Sequence, residues 1–245
     1  MSHARDFLVP EWTAPARVRA AVTMRAGGVS RGRFASNNLA THVGDLAQAV
    51  AENRRRLRAR LALPCEPAWL TQVHGREVAR LPGTSPASAD AAVAFGSGAV
   101  CAVLVADCLP VLLAGRDGDR VGIAHAGWRG LAAGVVEATV AALGGDPARL
   151  VAWLGPCIGP AAFEVGPEVR ESFVARDSGA QAHFRPGREG RFMADLPALA
   201  RRRLALAGVS EVIASGLCTH ADPVRFFSYR RDGATGRMAA LIWLA

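Results

Sequence analysis

His74, Cys108 and His125 are the residues of this chain whose types and surroundings point to chemistry. Each stands where an apolar, strand-like run gives way to a turn: TQVHG (71–75), ADCLP (106–110) and AHAGWRG (124–130). A core strand gains nothing from placing Asp107 and Cys108 side by side just ahead of Pro110. A strand end does use such a pair, because it fixes the direction of a side chain and leaves its tip accessible. Glycine follows His74 directly and Ala126-Gly127 follow His125, so little side-chain bulk crowds either imidazole. Two imidazoles and a thiolate make a borderline-soft set that zinc accepts with a fourth position open, where the pKa of a water falls toward about 7. The three residues are 34 (74 to 108) and 17 (108 to 125) positions apart, so spacing alone also fits three unrelated core residues.

Other polar clusters carry less. SYRRDGATGR (228–237) sets Arg230 and Arg231 before a turn and suits either an anion or a solvated hairpin. MRAGGVSRG (24–32) is glycine-rich, but the chain contains no lysine and no G-x-G-x-x-G after a strand here, which leaves phosphate loops of those two kinds unsupported. His3 is assigned to a loose terminus, His183 to a loop, and His42 and His220 to satisfied positions near turns.

The elements that must position the three residues are short strands. Runs at 16–24, 68–73, 90–95, 100–105, 110–114 and 121–125 read as strands, with 209–214, 225–228 and 237–243 closing the chain. A helix is predicted over 45–63, with Asp45 as N-cap and Leu46, Val50, Leu57 and Leu61 on one face. A second is predicted over 130–145, turning Leu131, Val135, Ala138 and Ala142 inward and stopping at Gly144. Two more lie near 167–176 and 195–207, the latter capped by Asp195. Strands outnumber helices without strict alternation, which predicts an α+β fold with mixed sheets covered by helices. Evenly spread Gly and Pro favour one domain over 1–245, with 1–17 irregular.

The bulk properties bound the function. The chain has 245 residues, 51% apolar and 20% charged, enough for a sizeable core. Its net charge of +8 rests on arginine alone, and RRRLRAR (54–60) lacks interleaved aromatics, so it reads as a solvated helix face rather than a nucleic-acid site. No apolar run reaches the length of about 18–20 residues that spans a bilayer, and the start lacks a signal-peptide pattern, which predicts a cytoplasmic protein without membrane contact. Five scattered cysteines without a CxxC pair argue against a disulfide framework.

Taken in order, MRAGGVS, ASNNLATHVGD, ENRRRL, TQVHG, ADCLPVLL, AHAGWRGLAAGVVE, WLGPCIGPAAFEVGPEV, DLPALARRRL, LCTH and FFSYRRDGATGRMAALIW resemble the YfiH-like family, also called the laccase-domain or polyphenol-oxidase-like family. The resemblance runs from about residue 18 to the C-terminus. It implies a single domain with two β-sheets packed between helical layers, α/β/β/α, and one zinc held by His74, Cys108 and His125. It also implies action on purine nucleosides: phosphorolysis of adenosine, inosine, guanosine or methylthioadenosine, and deamination of adenosine. The H-x-E signature of cytidine-type zinc deaminases is missing, which leaves Asp107 as the nearest acid/base in sequence. Arg25, Arg129 and Arg230 are the arginines suited to phosphate, and Asn38 keeps the polar position of SNN, where the family commonly has Ser-Leu-Asn. In LCTH a tyrosine often replaces His220, so His220 is not taken as a ligand. Two alternatives accompany this reading. One is a metal-free hydrolase, with Cys108 as nucleophile and His125 as base, that edits peptidoglycan precursors. The other is copper-dependent phenol oxidation, which needs a histidine-rich trinuclear cluster that six scattered histidines do not supply.

Overall fold

The computed structural model describes residues 7–83 and 88–245. His3 lies outside the described residues, and so does the first part of the segment expected to be irregular. Within that segment Phe7–Leu8 forms a short strand, pairing antiparallel with Val18–Thr23.

Two mixed sheets dominate. The first runs, in spatial order, Phe7–Leu8, Val18–Thr23, Met238–Leu244, Val100–Val105 and Ala68–Trp69. The second runs Glu211–Ala214, Leu150–Leu154, Leu109–Gly115, Arg120–Ala126, Ala91–Phe95 and Val78–Leu81, antiparallel in the middle with a parallel pair at each edge. Val100–Val105 and Leu109–Gly115 are buried along their whole length, which explains why they read as continuous apolar runs rather than alternating ones. The side-chain period of two divides them between cores. Cys101, Val103 and Val105 meet Leu112, Ala114, Ile123 and Trp153 between the sheets. Val100, Ala102 and Leu104 face Leu39, Leu57 and Leu63 on the outer side of the first sheet. Leu109, Val111 and Leu113 face Leu131, Val135, Val136, Leu199 and Leu204 on the outer side of the second. The helix Ala47–Arg60 supplies the outer layer on one side, and Trp128–Ala133, Val135–Leu143, Pro167–Val174 and Leu196–Leu206 on the other. This is the α/β/β/α layering expected from the resemblance. A small antiparallel sheet of Glu164–Val165, Phe192–Ala194 and Phe184–Pro186 is an addition to it.

Several local expectations change. Asp45 does not cap the first helix: Leu46 holds that position, 75% exposed, and Asp45 accepts instead from Ser30 Oγ (2.6 Å) and Asn38 Nδ2 (2.9 Å). The inward face is Val50, Asn53 and Leu57; fully buried Asn53 bonds to Ser30, Ser36, Asn38 and the Val29 N–H, so a polar side chain organises the loop where an apolar face was expected. The helix expected over 130–145 breaks at Gly134, whose φ of 101° suits glycine alone at low cost, and the second half turns Val135, Val136, Thr139, Val140 and Leu143 inward. Residues 225–228 form no strand; Phe226 and Phe227 are buried turn residues, and Ser228 caps the short helix Tyr229–Asp232.

Candidate metal centre and its cavity

The chain crosses from one sheet to the other between Val105 and Leu109, and that crossing is ADC. Asp107 makes the corner with φ of 91°. Pairing of Leu109 with Ala126 and Pro110 with His125 then brings the corner alongside the end of the Arg120–Ala126 strand. His74 arrives from the loop after Ala68–Trp69, which Gln72 pins to the first sheet by bonding both the N–H (2.7 Å) and the carbonyl (3.0 Å) of Leu104. The three side chains therefore converge at one mouth of the layer between the sheets.

One ligand atom from each of His74, Cys108 and His125 lies within 4.8 Å of the others. Cys108 Sγ is 3.9 Å from His74 Nε2, and the two imidazoles meet edge to face at 4.9 Å. Tetrahedral zinc with bonds of about 2.0–2.3 Å spaces its ligand atoms about 3.4–3.6 Å apart, so the set is slightly open and close to what the ion needs. Gly127 makes the convergence possible: a Cβ there would stand 2.9 Å from Cys108 Sγ and 3.0 Å from His74 Cδ2.

Asp90 orders the site. It is fully buried, accepts the N–H groups of Val73 (3.0 Å), His74 (3.0 Å) and Gly75 (2.7 Å), and takes the Nδ1–H of His125 at 2.8 Å. Three successive amides wrapped on a carboxylate hold His74 at its unusual φ of 60°. The bond to Nδ1 fixes the His125 tautomer and leaves Nε2 for a metal. Burial works against the Asp90 charge, but His125 and the amides outweigh it and lower the carboxyl below its ordinary range. Burial likewise pushes the Cys108 thiol up, yet His125 and His74 overcome this and bring it down to about 6. Burial opposes the His125 charge too, and Cys108 and Asp90 more than offset it, raising the imidazole to about 9. The site thus stabilises a thiolate, the form in which cysteine binds metal or attacks.

A cavity of about 570 Å³ opens over these residues. Leu104, Ile158, Phe163, Trp128 and Tyr229 give it apolar and aromatic walls, while His42, Arg129, Arg230 and Arg237 bring cationic or polar tips. Of the expected substrate residues, Arg129 and Arg230 line the cavity and Arg25 and Asn38 do not. Arg25 is spent on the carbonyls of Ala35 and Pro223 and lies over the Phe227 ring. Asn38 bonds Ala40, Asp45 and the N–H of Arg237. Asp107 lines the cavity, but both its oxygens are occupied, by Thr219 Oγ1 (2.6 Å), Ser228 Oγ (3.0 Å) and the Arg230 N–H (2.7 Å). His42, expected as a satisfied turn residue, belongs to the cavity wall; His220 offers its carbonyl to Arg231 and lies away from it.

Comparison with known proteins places this arrangement. The model of the family described as multi-copper polyphenol oxidoreductase laccase matches residues 19–245. The chain belongs to that family. Its relatives include a Pseudomonas aeruginosa protein named purine nucleoside phosphorylase, 54% identical over 97% of this chain and 98% of the relative. An Escherichia coli protein named purine nucleoside phosphorylase YfiH is 51% identical over the same shares. Among solved structures, the Neisseria meningitidis protein NMB0706 superposes with a TM-score of 0.93 at 47% identity, covering 98% of this chain and 99% of that one. YlmD from Geobacillus stearothermophilus superposes with a TM-score of 0.89 at 32% identity, over 100% and 98%. In this laccase-family chain, His74, Cys108 and His125 are the cluster of potential metal ligands among the described residues.

Sequence reasoning missed Asp90, Arg237 and His42 as members of the site. Asp90 carried a signal: a carboxylate heading the otherwise apolar DAAVAF, where a buried charge demands partners. Arg237 and His42 carried none, because only tertiary packing brings their loops to the cavity.

Proposed function

We propose that the protein is a zinc-dependent purine-nucleoside enzyme, phosphorolysing adenosine, inosine, guanosine or methylthioadenosine and deaminating adenosine. The observation that carries this reading is the His74/Cys108/His125 cluster lining one cavity together with aromatic, apolar and cationic side chains. The names of the relatives support the phosphorylase half.

The donor set fits zinc: a stabilised thiolate, an imidazole with Nε2 left free by Asp90, and a second imidazole on a braced loop. His74, Cys108 and His125 would hold the ion, which would supply Lewis acidity toward a substrate or water oxygen. Asp90 holds the His74 backbone and the His125 ring in the orientation in which the two imidazoles and Cys108 would hold the ion. Leu104, Ile158, Phe163, Trp128 and Tyr229 present flat apolar and aromatic surface to a purine. Arg129 and Arg230 add positive charge at the rim, suited to phosphate. Asp107, its oxygens taken, is a positioning residue that ties Thr219, Ser228 and Arg230 to the sheet crossing. Zinc is favoured over copper oxidase chemistry because a trinuclear centre needs many more imidazoles than this cavity, with His42 as its other histidine, contains. A cytoplasmic setting suits five unpaired cysteines.

A second reading rests on the lowered Cys108 thiol. Cys108, His125 and Asp90 stand as nucleophile, base and orienter, the order a metal-free hydrolase uses, and an editing enzyme for peptidoglycan precursors fits that order. Product analysis separates the readings. Zinc-loaded protein given adenosine and phosphate is expected to yield adenine and ribose 1-phosphate, and without phosphate to yield inosine. Absence of all three products overturns the nucleoside reading.

A further inference from the structure

Arg237 is the cation of the cavity whose charge is hardest to account for. Arg129 and Arg230 are exposed, so water solvates them, but Arg237 is partly buried and burial lowers its pKa. No carboxylate lies within ion-pair distance of it among the described residues. Asp107 is near enough for its charge to be felt, yet its oxygens are committed to Thr219, Ser228 and the Arg230 N–H. The Nη1 of Arg237 donates to the carbonyls of Thr235 (2.8 Å) and Gly236 (3.1 Å), which fixes the guanidinium plane. Its N–H is held by Asn38 Oδ1 at 3.0 Å and its carbonyl by the Leu39 N–H. Nε and Nη2, the edge of the fork that grips two oxygens at once, meet no protein acceptor among the described residues. His42 shares the cavity wall, close enough that Arg237 depresses its imidazole pKa in addition to the effect of burial.

A partly buried cation is ordinarily paired, and Arg237 has the Tyr229 ring at 5.7 Å and two carbonyls but no anion among the described residues, so the cavity is the direction left for an anionic partner. We infer that the Nε/Nη2 edge of Arg237, with His42 beside it, forms an oxyanion subsite that takes inorganic phosphate as co-substrate. The inference rests on the phosphorolysis reading and deepens it. In that reaction a phosphate oxygen forms the bond to ribose C1′ as the bond from C1′ to the purine nitrogen breaks. The electron pair leaves with the base, and the proton of hydrogen phosphate passes to that nitrogen. Holding phosphate on a rigid guanidinium beside Cys108 and Asp107 orients the attacking oxygen without using the metal ligands. It also gives Asn38 its place, as the residue that positions Arg237 rather than one that touches substrate.

The test compares Arg237→Met, Arg237→Lys and Arg129→Ala in zinc-loaded protein, by steady-state kinetics and by calorimetric titration with inorganic phosphate. Arg237→Met is expected to raise the KM for phosphate about tenfold or more, to shift the nucleoside KM by less than about threefold, and to lose calorimetric phosphate binding. Arg237→Lys, which keeps charge without the fork, is expected to fall between and guards against a folding defect. Unchanged phosphate binding in Arg237→Met overturns the subsite. So does an equal loss for nucleoside and phosphate, or a loss of phosphate binding larger in Arg129→Ala than in Arg237→Met. If the parent protein turns over no nucleoside, the phosphorylase reading fails, while phosphate binding that disappears only with Arg237 still supports the subsite.

Discussion

Asp90 Oδ1 stands 2.8 Å from His125 Nδ1, and the same carboxylate collects the amides of Val73, His74 and Gly75. One buried side chain thereby orients two candidate ligands that are 51 positions apart (74 to 125). Asp90→Asn keeps the shape but removes the charge and puts a donor where acceptors are needed. Zinc affinity is expected to fall about 10–100-fold, measured by competition with a chromogenic chelator. Parent-like affinity contradicts the role given to Asp90.

Gly127→Ala is expected to push Cys108 and His74 apart, because the new Cβ would meet both below 3.1 Å. The prediction is a drop in zinc affinity of about tenfold or more with little change in urea stability. A variant that binds zinc normally would show that the ligands relax at no cost.

Asp107→Ala strips the acceptor from the buried hydroxyls of Thr219 and Ser228 and is expected to cost about 2–5 kcal/mol in urea unfolding. Asp107→Asn retains an acceptor and is expected to lose less. A positioning role leaves the shape of the pH–rate profile intact in Asp107→Asn. Loss of one limb of that profile would return Asp107 to acid/base duty.

In metal-stripped protein, Cys108 is expected to react with iodoacetamide half-maximally near pH 6, following its lowered pKa. The depressed thiol stabilises the fold above its ordinary value of 9.0, and that contribution is lost as pH falls through about 6. The raised imidazole of His125 contributes below 6.5 and loses its contribution as pH rises through about 9. Across the shared window the pair holds one proton folded and one unfolded, so its contribution to stability is flat there. Zinc should slow the labelling sharply, and Cys101, fully buried with its thiol pushed up to about 12, should stay unlabelled throughout. Fast labelling in zinc-loaded, active protein would favour the hydrolase reading.

Arg25→Ala is expected to lower thermal stability, through the freed carbonyls of Ala35 and Pro223, and to leave the KM for phosphate within about twofold. A large rise in that KM would contradict its placement outside the cavity.

His74, Cys108 and His125 stood out in the sequence because each follows or ends an apolar run with a side chain that a core does not need, and the structure brings the three together. The strands themselves were legible as continuous apolar runs, because Val100–Val105 and Leu109–Gly115 are buried on both faces. The helix starting at Ala47 was legible in outline and in its buried Val50 and Leu57, but not in Asn53, which is satisfied by a loop that becomes its neighbour only after folding. Arg25 and Arg237 show the same limit from the other side. Composition cannot tell which of two arginines in glycine-rich turns faces the cavity, since that depends on how residues 24–38 and 225–237 cross.

The most direct test of the account is a zinc titration of metal-stripped protein, following conversion of adenosine in the presence of phosphate. The account predicts that turnover to adenine rises in proportion to added zinc and breaks sharply at about one ion per chain, with Cys108→Ser showing no such rise. Full turnover before any zinc is added, or turnover that requires several coppers per chain, would contradict it.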